Sequence, residues 1–251
     1  MGKQTSIGWT DSTHNFWTGC HKVSVGCKFC YAERIIQQFG ISKFKDVKKS
    51  KLFTAPLKWT EPRLIFTCSM SDFFIEEADK WREEAWEVIR KTPRHIYQIL
   101  TKRPERIERC LPKDWRTSGY PNVWLGVSVE SQNNMKRLPM LEKIPCAFKF
   151  VSFEPLLEKL QYHSYENWLD WVIVGGESGT NGNYRPCELE WIELIVNDCN
   201  VNGVPCFVKQ LGTHLAKSLR LRDWKGADVK EFPEQLRVQE FPKLIPAQTL
   251  L

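Results

Sequence analysis

Three of the nine cysteines in this 251-residue sequence stand close together, at positions 20, 27 and 30. Their spacing is C-x6-C-x2-C, and Gly19 and Gly26 immediately precede the first two. Thiolates ligate soft and borderline metals. Glycines allow the tight backbone that wrapping a metal group requires. A four-iron cluster normally takes four thiolates, so three local ones leave one iron open to another ligand. The competing reading is a structural zinc loop with His14 or His21 as the fourth ligand. Zinc loops usually pair two C-x2-C knuckles, and only one such pair is present here. Cys68, Cys110, Cys146, Cys199 and Cys206 lie on or beside apolar runs and read as small buried hydrophobes. Cys187 follows Tyr184-Arg185-Pro186 in a glycine-rich loop and is a candidate to face the site.

A second set of polar residues recurs at the ends of apolar runs. Ser69, Ser71 and Asp72 follow LIFTC, and Thr101, Lys102 and Arg103 follow HIYQIL. Ser128 and Glu130 end VWLGVSV, and Glu154 ends FKFVSF. Glu177 and Ser178 follow WVIVG, and Lys209 and Gln210 follow PCFV. Barrel enzymes build their sites at the C-terminal ends of strands, so sets in phase predict one shared cavity. For each residue the alternative is a loop-capping hydrogen bond or an ion pair. Glu154, Glu177, Lys209 and Cys187 are the candidates for catalysis. Gly175 and Gly176 let the backbone approach a ligand closely, with Glu177 facing the cavity. No G-K-[ST] follows them, which excludes a phosphate loop.

These residues need elements to hold them. Strands are expected at His14–Thr18, Leu64–Cys68, His95–Leu100, Val123–Val129, Phe148–Phe153, Trp171–Gly175 and Pro205–Val208. Between them run helical stripes. Ala78, Trp81, Ala85, Val88 and Ile89 share one face, ended by Pro93. Pro104 opens a segment carrying Ile107, Cys110 and Leu111. Met135, Leu138 and Leu141 form a helix that Pro139 shortens. Leu189, Ile192, Ile195, Val196 and Cys199 form the strongest stripe, stopped by Gly203. This alternation predicts an α/β fold, a (β/α) barrel or partial barrel of about six to seven parallel strands. An open doubly wound sheet is the alternative. Residues 1–216 form the barrel domain, and residues 217–251, charged and punctuated by proline, are an extended C-terminal tail packed on it.

Hydrophobic residues make up 42% and charged residues 26% of the chain, an ordinary globular balance. No run of 18 apolar residues and no export signal is visible, so a cytoplasmic protein without membrane contact is expected. Thirty-six basic against thirty acidic residues leave a net charge of +6, compatible with an anionic partner. Lys43–Lys51 (KFKDVKKSK) and Lys217–Lys225 (KSLRLRDWK) concentrate positive charge beside aromatics, a composition suited to phosphate contact and base stacking.

The cysteine loop resembles that of the radical S-adenosylmethionine superfamily, whose three cysteines follow the first barrel strand, usually as C-x3-C-x2-C. Phe29 matches the aromatic that often precedes the third cysteine there, while the first gap is six residues here. A closer resemblance, to uncharacterised phage and bacterial radical-S-adenosylmethionine-like proteins, covers nearly the whole chain. It rests on Ile7–Cys30, Ser69–Phe73 (SMSDF), Leu100–Arg106 (LTKRPER), Trp124–Glu130 (WLGVSVE), Glu154–Leu157 (EPLL), Val172–Gly179 (VIVGGESG), Lys209–Gly212 (KQLG) and Leu236–Pro242 (LRVQEFP). The resemblance implies a phage-type enzyme. It would hold a [4Fe-4S] cluster on Cys20, Cys27 and Cys30 and, with an electron from an external donor, cleave S-adenosylmethionine reductively to a 5′-deoxyadenosyl radical. Asp72 or Ser69 would then receive the cofactor's ammonium, Lys102 or Arg103 its carboxylate, and Glu130 or Glu154 its ribose. Gly126–Ser131, with Ser128, would lie against adenine. Gly175-Gly176-Glu177 is similar to the superfamily's GGE element, although that element usually follows the second strand. A nucleic-acid base or nucleotide is the expected substrate. The competing function is a non-catalytic nucleic-acid-binding protein with structural zinc; a cluster that only passes electrons is the third.

Overall fold

The computed structural model describes residues 5–38, 43–115, 117–161 and 168–243. Seven strands build the main sheet: β1 (Ser12–His14), β4 (Leu64–Thr67), β5 (Ile96–Thr101), β6 (Val123–Ser128), β7 (Phe148–Phe153), β8 (Trp171–Gly175) and β9 (Cys206–Gln210). A separate antiparallel ribbon pairs β2 (Trp17–Thr18) with β3 (Lys48–Lys49). Among the described residues five α-helices accompany them: α1 (Tyr31–Gln38), α2 (Asp79–Arg90), α3 (Arg137–Glu142), α4 (Leu189–Asn202) and α5 (Gly212–Ser218). All six pairings of the main sheet are parallel. The strands also lie in chain order from β1 to β9. A doubly wound sheet reverses its order at a switch point. Uninterrupted order instead sends every crossover to one face, and the sheet curls into a half barrel with β1 and β9 at its edges.

Period-two alternation then separates two apolar layers. Val123, Leu125 and Val127 of β6 pack outward with Trp86 and Ile89 of α2, Leu138 of α3 and Ile192 of α4. Trp124 of β6 faces inward with Phe66, Phe150, Trp171 and Phe207, and Trp9 closes this floor, its ring 4.6 Å from that of Phe66. Counting in twos from the floor places Lys102, Ser128, Glu154 and Lys209 inward at the C-terminal rim. The floor keeps water from the lower half of the curl, and the rim carries its polar groups.

Two expectations change. The strand expected over His14–Thr18 is two elements, because the chain leaves the sheet after His14 and Trp17–Thr18 pairs with Lys48–Lys49. The segment opened by Pro104 forms two short 3-10 turns, Pro104–Arg106 and Glu108–Cys110. Arg106 draws it inward there: its Nε donates to the Phe74 carbonyl (2.6 Å) and its Nη2 to both Asp79 oxygens. The shortening at Pro139 appears as the six-residue α3. The tail lies along β9. Val208 N donates to Val238 O (2.8 Å) and Glu240 N to Cys206 O (2.9 Å), covering an edge that would otherwise offer free backbone groups. Tail residues 244–251 lie outside the described residues.

Candidate metal centre at the barrel mouth

The cysteine loop leaves β2 and is held by backbone contacts at its start: Gly19 N donates to Met70 O (3.1 Å) and Cys20 N to Phe44 O (2.8 Å). A 3-10 turn, Val25–Cys27, carries the second cysteine. The third, Cys30, precedes the first turn of α1, where backbone groups at Ala32 and Glu33 hydrogen-bond its sulfur. All three thiols are free and half-buried.

Three strand-end carboxylates hold this loop over the mouth, Asp72 and Glu177 through an arginine and Glu130 directly through Ser24. Asp72, after β4, accepts from Arg103 Nη1 (3.0 Å). Arg103 Nη2 donates to the His21 carbonyl (2.9 Å), and both terminal nitrogens lie 3.7 Å from Cys20 Sγ. Glu130, after β6, is fully buried and accepts from Arg137 Nη1 (2.7 Å) and from the Ser24 hydroxyl in the cysteine loop. Glu177, after β8, accepts from Arg185 Nε (2.8 Å) and Nη2, while Arg185 Nη1 donates to Val25 O (2.8 Å). The same guanidinium lies 5.5 Å from the Phe29 ring centroid. Gly26 fits because a Cβ there would come within 2.7 Å of the Glu130 side chain.

Burial favours the protonated form of Cys20 and Cys30 in the absence of metal. Burial pushes Cys20 up to about 12 against the pull of Arg103, and burial likewise raises Cys30. A negative charge placed on Cys27 would raise both further, so the three sulfurs are electrostatic neighbours. Among the described residues, no three His, Cys, Asp or Glu side chains already converge as a metal cage. Protonated, Cys20 and Cys30 have no mutual attraction that would gather them; a thiophilic metal would displace their protons on binding. The donor set, three sulfurs beside a guanidinium, suits a thiophilic metal group. The imidazoles of His14 and His21 each have a partner away from the thiols. His14 is buried with Nε2 at the Phe53 carbonyl (3.1 Å), and His21 pairs with Glu77.

The chain matches the family described as protein of unknown function (DUF5131) over residues 4–240. It belongs to the DUF5131 family. No curated protein and no solved structure matches it.

In this DUF5131 protein the remaining candidates fall into distinct places. Asp72 spends its oxygens on Thr101 Oγ1 (2.7 Å), Lys102 N (3.0 Å), Phe74 N (2.9 Å) and Arg103, so its role is positional. Ser69 accepts from Asn15 Nδ2 (3.2 Å), and its carbonyl accepts from the Tyr31 hydroxyl (2.5 Å). Glu154 and Lys209 form an inward ion pair (2.8 and 3.1 Å) that touches no cysteine-loop backbone. Tyr31, next to the third cysteine, lies within the electrostatic reach of both Cys30 and Glu154, which places this pair close to that cysteine. Ser128 is buried beside Ser152 in register, and its carbonyl accepts from Arg137 (2.7 Å). Cys187 is fully buried beneath Gly176, and burial pushes its thiol up to about 12; it is a core residue. Cys68, Cys110, Cys199 and Cys206 are buried as expected, and Cys146 is half-buried.

A cleft of about 690 Å³ opens beside the loop, lined by Ser24 and Val25, Lys102, Ser131 and Asn134, Arg137, Leu157 and Arg185 among others. A smaller one, about 350 Å³, lies on the other side against Cys20, His21, Glu33, Phe44 and Lys45. Sequence reasoning named the carboxylates but missed Ser24, Arg137 and Arg185. One signal was available: Glu130 and Glu177 are followed seven and eight residues later by an arginine.

Proposed function

We propose that the chain is a radical S-adenosylmethionine enzyme. Cys20, Cys27 and Cys30 hold a [4Fe-4S] cluster, S-adenosylmethionine occupies the open iron, an external donor supplies the electron, and the substrate is a nucleic-acid base or nucleotide. The observation that carries this reading is a three-thiol loop fastened across the C-terminal mouth of a parallel half barrel by Asp72–Arg103, Glu130–Ser24 and Glu177–Arg185. Such an end is where barrel folds build their sites. Three tethers on one short loop exceed what chain connection requires.

When bound, the cluster and S-adenosylmethionine supply a 5′-deoxyadenosyl radical, and the protein's part is to position and shield it. Arg103 steadies the first cysteine, Ser24 and Glu130 the turn before the second, and Arg185 the segment between them. Lys102 is half-buried in the larger cleft, its charge acts on Cys30, and no hydrogen bond or ion pair of its ammonium is seen among the described residues, so it can receive a carboxylate. Glu154 and Lys209 offer an acceptor and a donor on the inner rim. The aromatic floor excludes water from below.

The basic stretches support an anionic substrate. Lys43, Lys45, Lys48, Lys49 and Lys51 are all exposed, next to the Phe44 carbonyl that anchors Cys20. Lys217, Arg220, Arg222 and Lys225 are exposed beside Gly212, whose backbone packs on Gly176. Both therefore flank the mouth, on opposite sides.

Anaerobically reconstituted, reduced protein incubated with S-adenosylmethionine is expected to yield 5′-deoxyadenosine, and Cys27→Ser to yield none. A wild type carrying full iron and sulfide that forms none overturns the enzymatic reading. Zinc in place of iron after anaerobic purification would favour the structural alternative.

A further inference from the structure

We infer that Arg103 is a positioning residue for the cluster ligand Cys20, holding hydrogen-bond donors and a fixed positive charge against that sulfur so as to raise the cluster's reduction potential. The inference rests on the cluster reading of the cysteine loop and goes beyond it by assigning the residue that tunes the group.

The geometry around Arg103 is over-determined. The residue is 7% exposed. Its Nη1 is fixed by Asp72 Oδ2 (3.0 Å) and its Nη2 by the His21 carbonyl (2.9 Å), which leaves the two terminal nitrogens facing Cys20 Sγ at equal distances of 3.7 Å. Asp72 is itself immobilised by the backbone at Phe74 and Lys102 and by the Thr101 hydroxyl. The arrangement is a chain from the loop backbone after β4 and β5 to carboxylate to guanidinium to sulfur, the outer-sphere arrangement that orients and tunes metal ligands. Arg137 and Arg185 have the same carboxylate partnership, but their remaining contacts run to backbone carbonyls and an aromatic ring. Arg103 alone of the three reaches a thiol of the loop.

The sign follows from charge. Reduction adds an electron to the cluster, and that electron density is shared with its sulfurs. A buried cation with N–H donors at one sulfur stabilises the reduced form more than the oxidised form, and does so strongly where water is excluded. Removing it lowers the potential. Lysine keeps the charge but lacks the planar fork, so it retains only part of the effect.

The test uses wild type, Arg103→Lys and Arg103→Met, reconstituted anaerobically and assayed for iron and sulfide before anything else. Redox titration is expected to give the highest midpoint potential for wild type, a lower one for the lysine variant and the lowest for the methionine variant. Equal potentials in fully loaded proteins overturn the inference and leave the cluster reading intact. Because Arg103→Met strands the buried Asp72 charge and can fail to fold, a second measurement needs no methionine variant. Wild type grown with ¹⁵N-guanidino arginine is expected to show a ¹⁵N coupling in the pulsed electron paramagnetic resonance of the reduced cluster, absent in Arg103→Lys. No coupling in the wild type overturns the inference. A wild type that binds no iron overturns both this inference and the cluster reading. A loaded wild type that shows the coupling and the potential shift but forms no 5′-deoxyadenosine supports Arg103 and removes only the enzymatic reading.

Discussion

Gly26 sits where one added methyl group decides whether the cysteine loop can close on the sheet. The Glu130 side chain it would meet at 2.7 Å cannot swing away, being fully buried and held by Arg137. Gly26→Ala is therefore expected to cost about 1–3 kcal/mol and to lower iron content after reconstitution, checked by urea unfolding and iron assay. A variant as stable and as well loaded as wild type would detach the loop from Glu130. Titration tests the buried thiols and His14 of the metal-free protein. Burial pushes Cys68 and Cys187 from the ordinary 9.0 up to about 12, so the folded chain keeps protons that the unfolded chain releases. Their stability contribution is present below pH 9 and is lost as pH climbs from there toward 12. Burial lowers His14 from 6.5 to about 4, so the folded chain excludes a proton that the unfolded chain binds, and stability is lost as pH falls through that interval. Melting temperature plotted against pH should form a plateau between about 6.5 and 9 with both flanks falling; a flat curve at either flank contradicts the burial. At this scale the sequence was informative wherever strand parity decides. Lys102, Ser128, Glu154 and Lys209 are the residues that alternation turns inward. Asp72, Glu130 and Glu177 were visible as strand-end carboxylates. Arg103 was visible as a strand-end group but not as the partner of Asp72, and Arg137 and Arg185 were not visible at all, because those pairings form only once the loops after β5, β6 and β8 fold over the mouth.

The three tethers act as elements, and the Glu177–Arg185 pair shows how. Arg185 joins the loop after β8 to Val25 across the mouth, and Glu177 is 6% exposed. Arg185→Met leaves that carboxylate buried and unpaired, which is expected to cost about 3–5 kcal/mol. Glu177→Gln combined with Arg185→Met should recover a large part of that loss, because no uncompensated charge remains. Chemical denaturation of the single and double variants checks this; strict additivity would contradict the pairing. Element order was legible from the apolar runs, and α2 and α4 from their stripes. Helices α1 and α5 were not. The first is hidden behind the cysteines, with Glu33, Arg34, Gln37 and Gln38 leaving few apolar positions, and the second spans seven residues. The 3-10 turns after Pro104 were also out of reach, since the Arg106 contacts that shape them come from residues 74 and 79.

At the scale of the whole molecule, seven parallel strands in chain order leave a half barrel open along β1 and β9, and the tail covers the β9 side. Among the described residues no helix is long and apolar enough to cross a membrane. The choice between barrel-like and doubly wound architecture was closed to periodicity, because both read as alternating strands and helices; strand order settles it. The cysteine loop, the three tethers, the inward rim and the two basic flanks all meet at one end of this half barrel, and the proposed chemistry belongs there. Electron paramagnetic resonance of the reduced, reconstituted protein with and without S-adenosylmethionine tests that most directly. The proposed open iron predicts a cluster signal that changes when S-adenosylmethionine is added; a fully loaded cluster whose signal is the same with and without it would contradict the proposal.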